Sequence, residues 1–277
     1  MVQASVLSDR SVISVGGAEA RAFLQGLVSN DMENCPPGRA IYAALLTPQG
    51  KILYEFFVTE RDGRFLLDCA SARAPELVKR LIFYRLRAKI DIVLAPDLAV
   101  AAAWNNEPAT YSDVVVFPDP RLPGLGLRMI GTPAQLQRIV GDAEAGDYQA
   151  HRLRLGVPDS ADMPPDTVFA LDAGLEEFGG VNFKKGCYVG QEVTARMKHR
   201  ASARRRFMIA EFEGEAPPPG SKLEAVGRDL GTFATGAQGR ALALVRLDRL
   251  DEAREAGAPI TAAGRPVNLQ KPSWLLP

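Results

Sequence analysis

Three apolar runs separated by two short polar turns, at 40–46, 52–59 and 65–69, constrain this chain more than any other feature. The turns Thr47-Pro48-Gln49-Gly50-Lys51 and Glu60-Arg61-Asp62-Gly63-Arg64 carry the proline, glycine and aspartate that reverse a chain within a few residues. Runs joined so closely predict an antiparallel meander, because parallel neighbours need a crossover of about a dozen residues. Around it, residues 2–15 alternate about Ser8-Asp9-Arg10, which predicts two short strands and a turn. From Ala18 onward, Ala22, Phe23, Gly26 and Leu27 recur at helical spacing up to Ser29-Asn30-Asp31. Ser71 is placed to cap a helix that carries Leu77, Leu81, Ile82 and Tyr84 to about Arg87. Strands are predicted at 90–94, 98–104, 114–117 and 125–130, and helices at 132–140 and 147–155. No dinucleotide-binding glycine fingerprint accompanies this alternation, so the predicted class is α+β with mixed, mostly antiparallel sheets.

Residues 156–180 are turn-rich and poorly periodic. Past Arg206, short apolar segments recur between turns, the clearest turn being Gly214-Glu-Ala-Pro-Pro-Pro-Gly220. Their even spacing predicts a small C-terminal β-barrel over 207–277, after a first region, 1–206, built of two intertwined subdomains.

Lys+Arg and Asp+Glu are balanced at 33 each, so affinity for nucleic acid or membrane must come from a local patch. The longest apolar runs, 40–46 and 98–104, fall far short of the roughly 20 residues of a membrane span. The start lacks a basic segment leading into an apolar one, which makes a cytoplasmic location the expectation. Cys35, Cys69 and Cys187 are odd in number and widely spaced, which argues against a disulfide framework and a permanently bound metal. A cluster shared with a partner stays open.

The chemistry concentrates in Lys185-Gly186-Cys187-Tyr188-Val189-Gly190-Gln191-Glu192. Glycines on both sides of the cysteine allow a sharp turn or a close approach to a ligand. A helix is predicted from about Gln191, with Val193, Met197 and Ala201 on one side. A cysteine just ahead of a helix start, with Lys184, Lys185 and Arg196 near it, sits where electrostatics favours the reactive thiolate. The alternative reading keeps Cys187 as a small apolar filler and Glu192 as a helix-start acid. Lys184, Lys185, Arg196, Lys198, Arg200, Arg204, Arg205 and Arg206 face one acid, Glu192, in this region. That excess suits phosphates or RNA, and equally a solvated helix face with a basic linker.

The octapeptide resembles the signature of the YgfZ family, folate-binding proteins related to the glycine cleavage T-protein (an aminomethyltransferase). The likeness runs on through Thr194-Ala195-Arg196 and the basic tail, as in the family's mitochondrial iron–sulfur assembly branch. Phe23-Leu24-Gln25-Gly26, Ser29-Asn30-Asp31, Pro48-Gln49-Gly50-Lys51 and Arg152-Leu153-Arg154-Leu155-Gly156-Val157-Pro158 fall in the family's order. The resemblance implies a T-protein-like fold, non-covalently bound tetrahydrofolate or a derivative, and partners among iron–sulfur client or assembly proteins. In some relatives this supports tRNA modification. Its expected site joins Cys187 as reactive thiol and Lys185 beside it to a folate wall of Gln25, Asn30, Asp31, Lys185, Gly186, Tyr188, Gly190, Gln191 and Glu192. The T-protein's catalytic aspartate, in Gly-Gly-x-Leu-Asp-Asp, is matched by Gly50-Lys51-Ile52-Leu53-Tyr54-Glu55, and its pterin-holding glutamate by Arg154. Loss of both carboxylate positions leaves enzymatic status open. The alternatives are a one-carbon transferase using Glu55, and a tRNA-binding module using 196–206.

Overall fold

The computed structural model describes residues 3–104, 113–140, 145–200 and 204–275. The meander is present as Ala40–Leu46, Ile52–Arg61 and Arg64–Ala70, extended by Arg10–Gly16 and Asp91–Leu94 into a five-stranded antiparallel sheet in that order. Asp62 and Gly63 both take positive φ, 52° and 73°, in the hairpin that pairs Arg61 with Arg64. A two-residue turn of that hand matches the natural twist of the strands. Both faces of the sheet are covered. One packs on the helices Ala20–Gln25 and Ala74–Arg85, the other on the rest of the molecule. Its strands therefore read as continuous apolar runs, without the alternation of a half-exposed sheet.

The first two predicted strands exist, but they do not form a hairpin. Gln3–Val6 joins Ala99–Trp104, Leu127–Gly131 and Val115–Pro118 in a four-stranded sheet, while Arg10–Gly16 joins the meander. The helix Pro133–Val140 packs on this second sheet through Leu136 and Val140. A reciprocal cap opens it. The Gln135 side chain accepts from the Thr132 backbone at 2.7 Å, and the Thr132 hydroxyl accepts from the Gln135 backbone at 3.3 Å. The helix Ala145–Leu155 follows.

Three sequence expectations are corrected. The first helix buries Ala20 and Leu24, whereas Ala22 and Gly26 are exposed. Ser71 caps no helix; it begins a 3-10 turn, and its hydroxyl pairs with that of Ser11 at 2.8 Å. The Gln191–His199 helix buries Thr194, while Val193 and Met197 are only half-buried and Ala201 lies outside the described residues.

The C-terminal region is a seven-stranded antiparallel sheet, ordered Arg265–Pro266, Thr261–Ala262, Lys222–Ala225, Arg228–Ala237, Arg240–Arg246, Arg205–Glu211, Asn268–Gln270. Its two edges, Arg265–Pro266 and Asn268–Gln270, are separated in the chain only by Val267. Edges so close in sequence force the sheet to roll into a nearly closed barrel. The helix Leu247–Glu255, which the sequence reading missed, packs on it through Leu250 and Ala253.

A buried ionic network ties the three sheets together. Arg10 donates to Asp68 at 2.6 Å and Glu55 at 2.8 Å within the meander, and Arg128 of the second sheet also reaches Asp68. Asp119 accepts from Arg128 at 3.0 Å and Arg121 at 2.8 Å. Arg152 pairs with Asp162 at 2.6 Å, and Asp162 accepts from both backbone and hydroxyl of Thr235 in the barrel. The guanidinium groups of Arg10, Arg121 and Arg128 lie 5.5, 4.8 and 3.8 Å from the centre of the Phe57 ring, adding cation–π attraction where water is excluded.

Candidate functional site

The motif loop is braced at both ends. Lys185 is buried, and its ammonium donates to the carbonyls of Gln25 at 2.7 Å, Val28 at 2.6 Å and Asn30 at 2.8 Å. An ammonium has three N–H donors, so these contacts use them all. Lys185 thus ties the motif to the end of the first helix and has no donor left for a thiolate or an anion. Burial lowers its pKa to about 8, with Asp31 opposing. At the other end, Gly190 has φ 83°, and a Cβ there would lie 2.5 Å from the Thr47 carbonyl oxygen. Only glycine fits where the motif meets the Thr47–Lys51 turn. Gly186, by contrast, borders open space.

Gln25, Asn30, Asp31 and Lys185 do come together, in a knot whose polar groups serve one another. Asn30 donates to the Tyr42 and Gly179 carbonyls at 2.8 and 2.7 Å. Gln25 donates to Asp31 at 3.0 Å and accepts from the Met32 backbone at 2.8 Å. Asp31 also accepts from the Glu33 backbone at 3.1 Å. These contacts hold the chain against itself at the place where the sequence predicts a ligand wall. Glu192 is exposed and pairs with Arg196 at 2.5 Å, one helical turn on, while Gln191 is half-buried. Tyr188 is buried, and its hydroxyl has no partner; burial pushes it up to about 12.

Cys187 and Gly186 are exposed between these braces. Cys35 and Cys69 are buried, and burial pushes their thiols up to about 11 and 12. Among the described residues, no group of three or more His, Cys, Asp and Glu side chains is placed to hold a metal ion. The basic patch is partly neutralised: Arg196, Lys198 and Arg206 pair with Glu192, Glu176 and Glu177, and Lys185 is buried. Lys184, Arg200, Arg204 and Arg205 remain exposed.

Glu55 faces inward. One carboxylate oxygen accepts from Arg10 and from the Ser160 hydroxyl, while the other is buried with no partner among the described residues. Tyr54, Glu55, Cys69, Arg73, Ser160 and Met163 line a cavity of about 60 Å³ there, and the Arg73 Nε is a second unpartnered atom. Arg154, matched to the T-protein's pterin-holding glutamate, is exposed, whereas its neighbour Arg152 is fully buried. Arg10, Asp68, Asp119, Arg121, Arg128 and Asp162 were missed by the sequence reading. Asp68 meets Arg10 and Arg128 across 58 and 60 positions, and even the nearer pairs, Asp119 with Arg121 and Asp162 with Arg152, follow no local pattern that announces them.

A family model for the CAF17 C-terminal beta-barrel domain matches residues 204–276. The mouse and human iron–sulfur cluster assembly factors IBA57, mitochondrial, are each 32% identical to the chain, covering 88% of it and 77% of their own length. The chain belongs to the IBA57 family. A homologue from Mycosarcoma maydis is 35% identical over 78% of the chain, which spans 59% of that relative's length. These matches show the iron–sulfur assembly branch of the resemblance, not YgfZ proteins as such. The glycine cleavage system aminomethyltransferase T from Bartonella henselae superposes with a TM-score of 0.74 at 17% identity, covering 99% of this chain and 86% of that one. The fold is therefore that of the aminomethyltransferases, followed by the barrel.

Proposed function

We propose that this protein serves the assembly or repair of iron–sulfur proteins by presenting Cys187 as an external thiol on a braced loop, with tetrahydrofolate as a non-covalent ligand. The observation that carries the first part is the contrast among the cysteines: Cys187 is exposed, and the other two are buried. The IBA57 relatives, named as iron–sulfur cluster assembly factors, support the role. With no local set of metal-ligating side chains among the described residues, a cluster that meets Cys187 takes its other ligands from a client or assembly partner. Cys187→Ser, introduced into cells lacking the protein, is expected to leave iron–sulfur enzyme activity low although the variant folds normally. Full restoration would remove the thiol from the mechanism.

The resemblance supplies the folate, and the unpartnered Glu55 oxygen is the buried acceptor available to a heterocycle's N–H group. The cavity beside it, at about 60 Å³, is smaller than a pterin, so binding requires its lining to open. Thermal unfolding with and without tetrahydrofolate tests this. At a hundredfold excess over Kd a native-state ligand stabilises by about 2.7 kcal/mol, and an unchanged midpoint at high excess excludes folate. The same Glu55 oxygen favours the second reading, a one-carbon transferase. Folate binding without methylene transfer in a direct assay removes that reading and keeps the first.

A further inference from the structure

The large apolar side chains left in solvent among the described residues are Ile82, Phe83, Leu86, Val93, Leu94 and Val226. All but the last fall within 82–94, at the end of the Ala74–Arg85 helix and on the Asp91–Leu94 strand. Phe83 is 73% exposed and Leu86 is 86% exposed. The helix already has its core face, made by Ala74, Leu77 and Leu81, so these side chains are surplus to its packing. Leu86 also has φ 49°, a conformation that favours glycine and is strained for leucine. An exposed leucine held there gains nothing from its own fold.

The surrounding charge has one sign to spare. Lys79, Arg80, Arg87 and Lys89 are exposed. No ion pair involves any of them among the described residues, while three of the acids beside them, Glu76, Asp91 and Glu19, are engaged. Glu76 pairs with Arg73 at 3.0 Å, Asp91 with Arg64, and Glu19 accepts from the Lys89 backbone at 2.6 Å. Beside Phe83 lies a depression of about 370 Å³ lined by Tyr54, Glu76, Lys79, Arg80 and Phe83. Among the described residues Asp91–Leu94 is an edge strand, paired only with Arg10–Gly16, which leaves its outer side to a further strand.

We propose that this face receives a protein segment whose apolar side chains are flanked by Asp or Glu, docking over Phe83 and Leu86 and along the Asp91–Leu94 edge. The apolar centre supplies the contact, and the unpaired cations select an acidic rim. A bilayer is the poorer occupant, because hydrocarbon cannot satisfy open strand-edge groups or fill a concave depression. A second copy of this chain is disfavoured too, because a two-fold contact would face these cations with themselves.

The test titrates the full-length protein with a synthetic peptide alternating Leu and Glu, with the same peptide carrying Lys for Glu, and with phosphatidylcholine–phosphatidylserine vesicles. Backbone NMR shifts and fluorescence anisotropy are followed. The Leu–Glu peptide is expected to shift residues 76–94. Its affinity should fall by about tenfold or more for Phe83→Ser and for the Lys79→Glu/Arg80→Glu pair, as for a central anchor and its charge partners. Leu86→Gly should weaken binding without lowering the unfolding temperature, since glycine relieves the positive φ; this separates docking from misfolding. Equal binding of the Lys peptide, shifts confined to other regions, or no binding overturns the proposal. So does vesicle binding, or self-association, that disappears with Phe83→Ser.

Discussion

Lys185 and Cys187 stand two positions apart and have opposite fates, because side-chain length decides what each can reach. The lysine stem crosses the wall and delivers its ammonium to three carbonyls, whereas the short cysteine side chain stays in solvent. Lys185→Met keeps the stem and removes every donor. At about 1 kcal/mol or more for each buried acceptor left unpaired, urea denaturation should show a loss of roughly 3 kcal/mol. A loss below about 0.5 kcal/mol, the range of an ordinary surface substitution, contradicts the brace. The two glycines of the motif separate in the same way. Gly190→Ala pushes a Cβ onto the Thr47 oxygen at positive φ, and should cost about 2 kcal/mol or more. Gly186→Ala meets open space, and its unfolding midpoint should stay close to the parent's. If both variants lose the same stability, the close approach at Gly190 is not what fixes the loop.

At the level of elements, local signals work where a short segment closes its own hydrogen bonds. Thr132 and Gln135 form one such unit, and the predicted helix start beside Pro133 is found there. Thr132→Ala removes both the hydroxyl acceptor and its contact with Gln135; thermal unfolding should report a loss of about 1 kcal/mol. No measurable change would mean that packing of Leu136 and Val140 alone fixes this helix. Ser71 carries the same type of signal and fails, because Ser11 lies across the sheet and takes its hydroxyl. The Leu247–Glu255 helix fails in the other direction: its charged residues mask a short apolar face that has value only against the barrel.

Across the whole molecule, cooperativity depends on charges that only the assembled fold brings together. Burial pushes the Asp119 carboxyl up, but Arg121 and Arg128 outweigh it and hold the group at about 2. A carboxylate depressed in the folded state gives stability that is complete above its ordinary value near 4 and is lost as pH falls toward 2. Asp119→Asn leaves the buried Arg121 without a carboxylate and Arg128 with Asp68 alone, which costs about 3–5 kcal/mol near neutrality. Unfolding measured along a pH series should show the gap between variant and parent narrowing from pH 4 to pH 2. A gap constant across that range shows that the ion pairs, as charges, contribute nothing.

The chain by itself determined the meander, the turns that fix its register, the α+β class, the C-terminal barrel and the octapeptide that marks the family. The first four are written in neighbouring residues, through apolar runs, regular spacing and turn chemistry, and the last through a resemblance carried by adjacent residues, so none needs tertiary information. Tertiary structure decided which of two adjacent short strands joins which sheet, and that Glu55 points inward with one oxygen free. It also made Lys185 a brace and Cys187 the exposed thiol. The physical reason is common to these cases. A side chain's desolvation and its hydrogen-bond partners depend on groups many residues away in the chain. Lys185 meets carbonyls 155–160 positions away, and Arg10 meets Asp68 across 58.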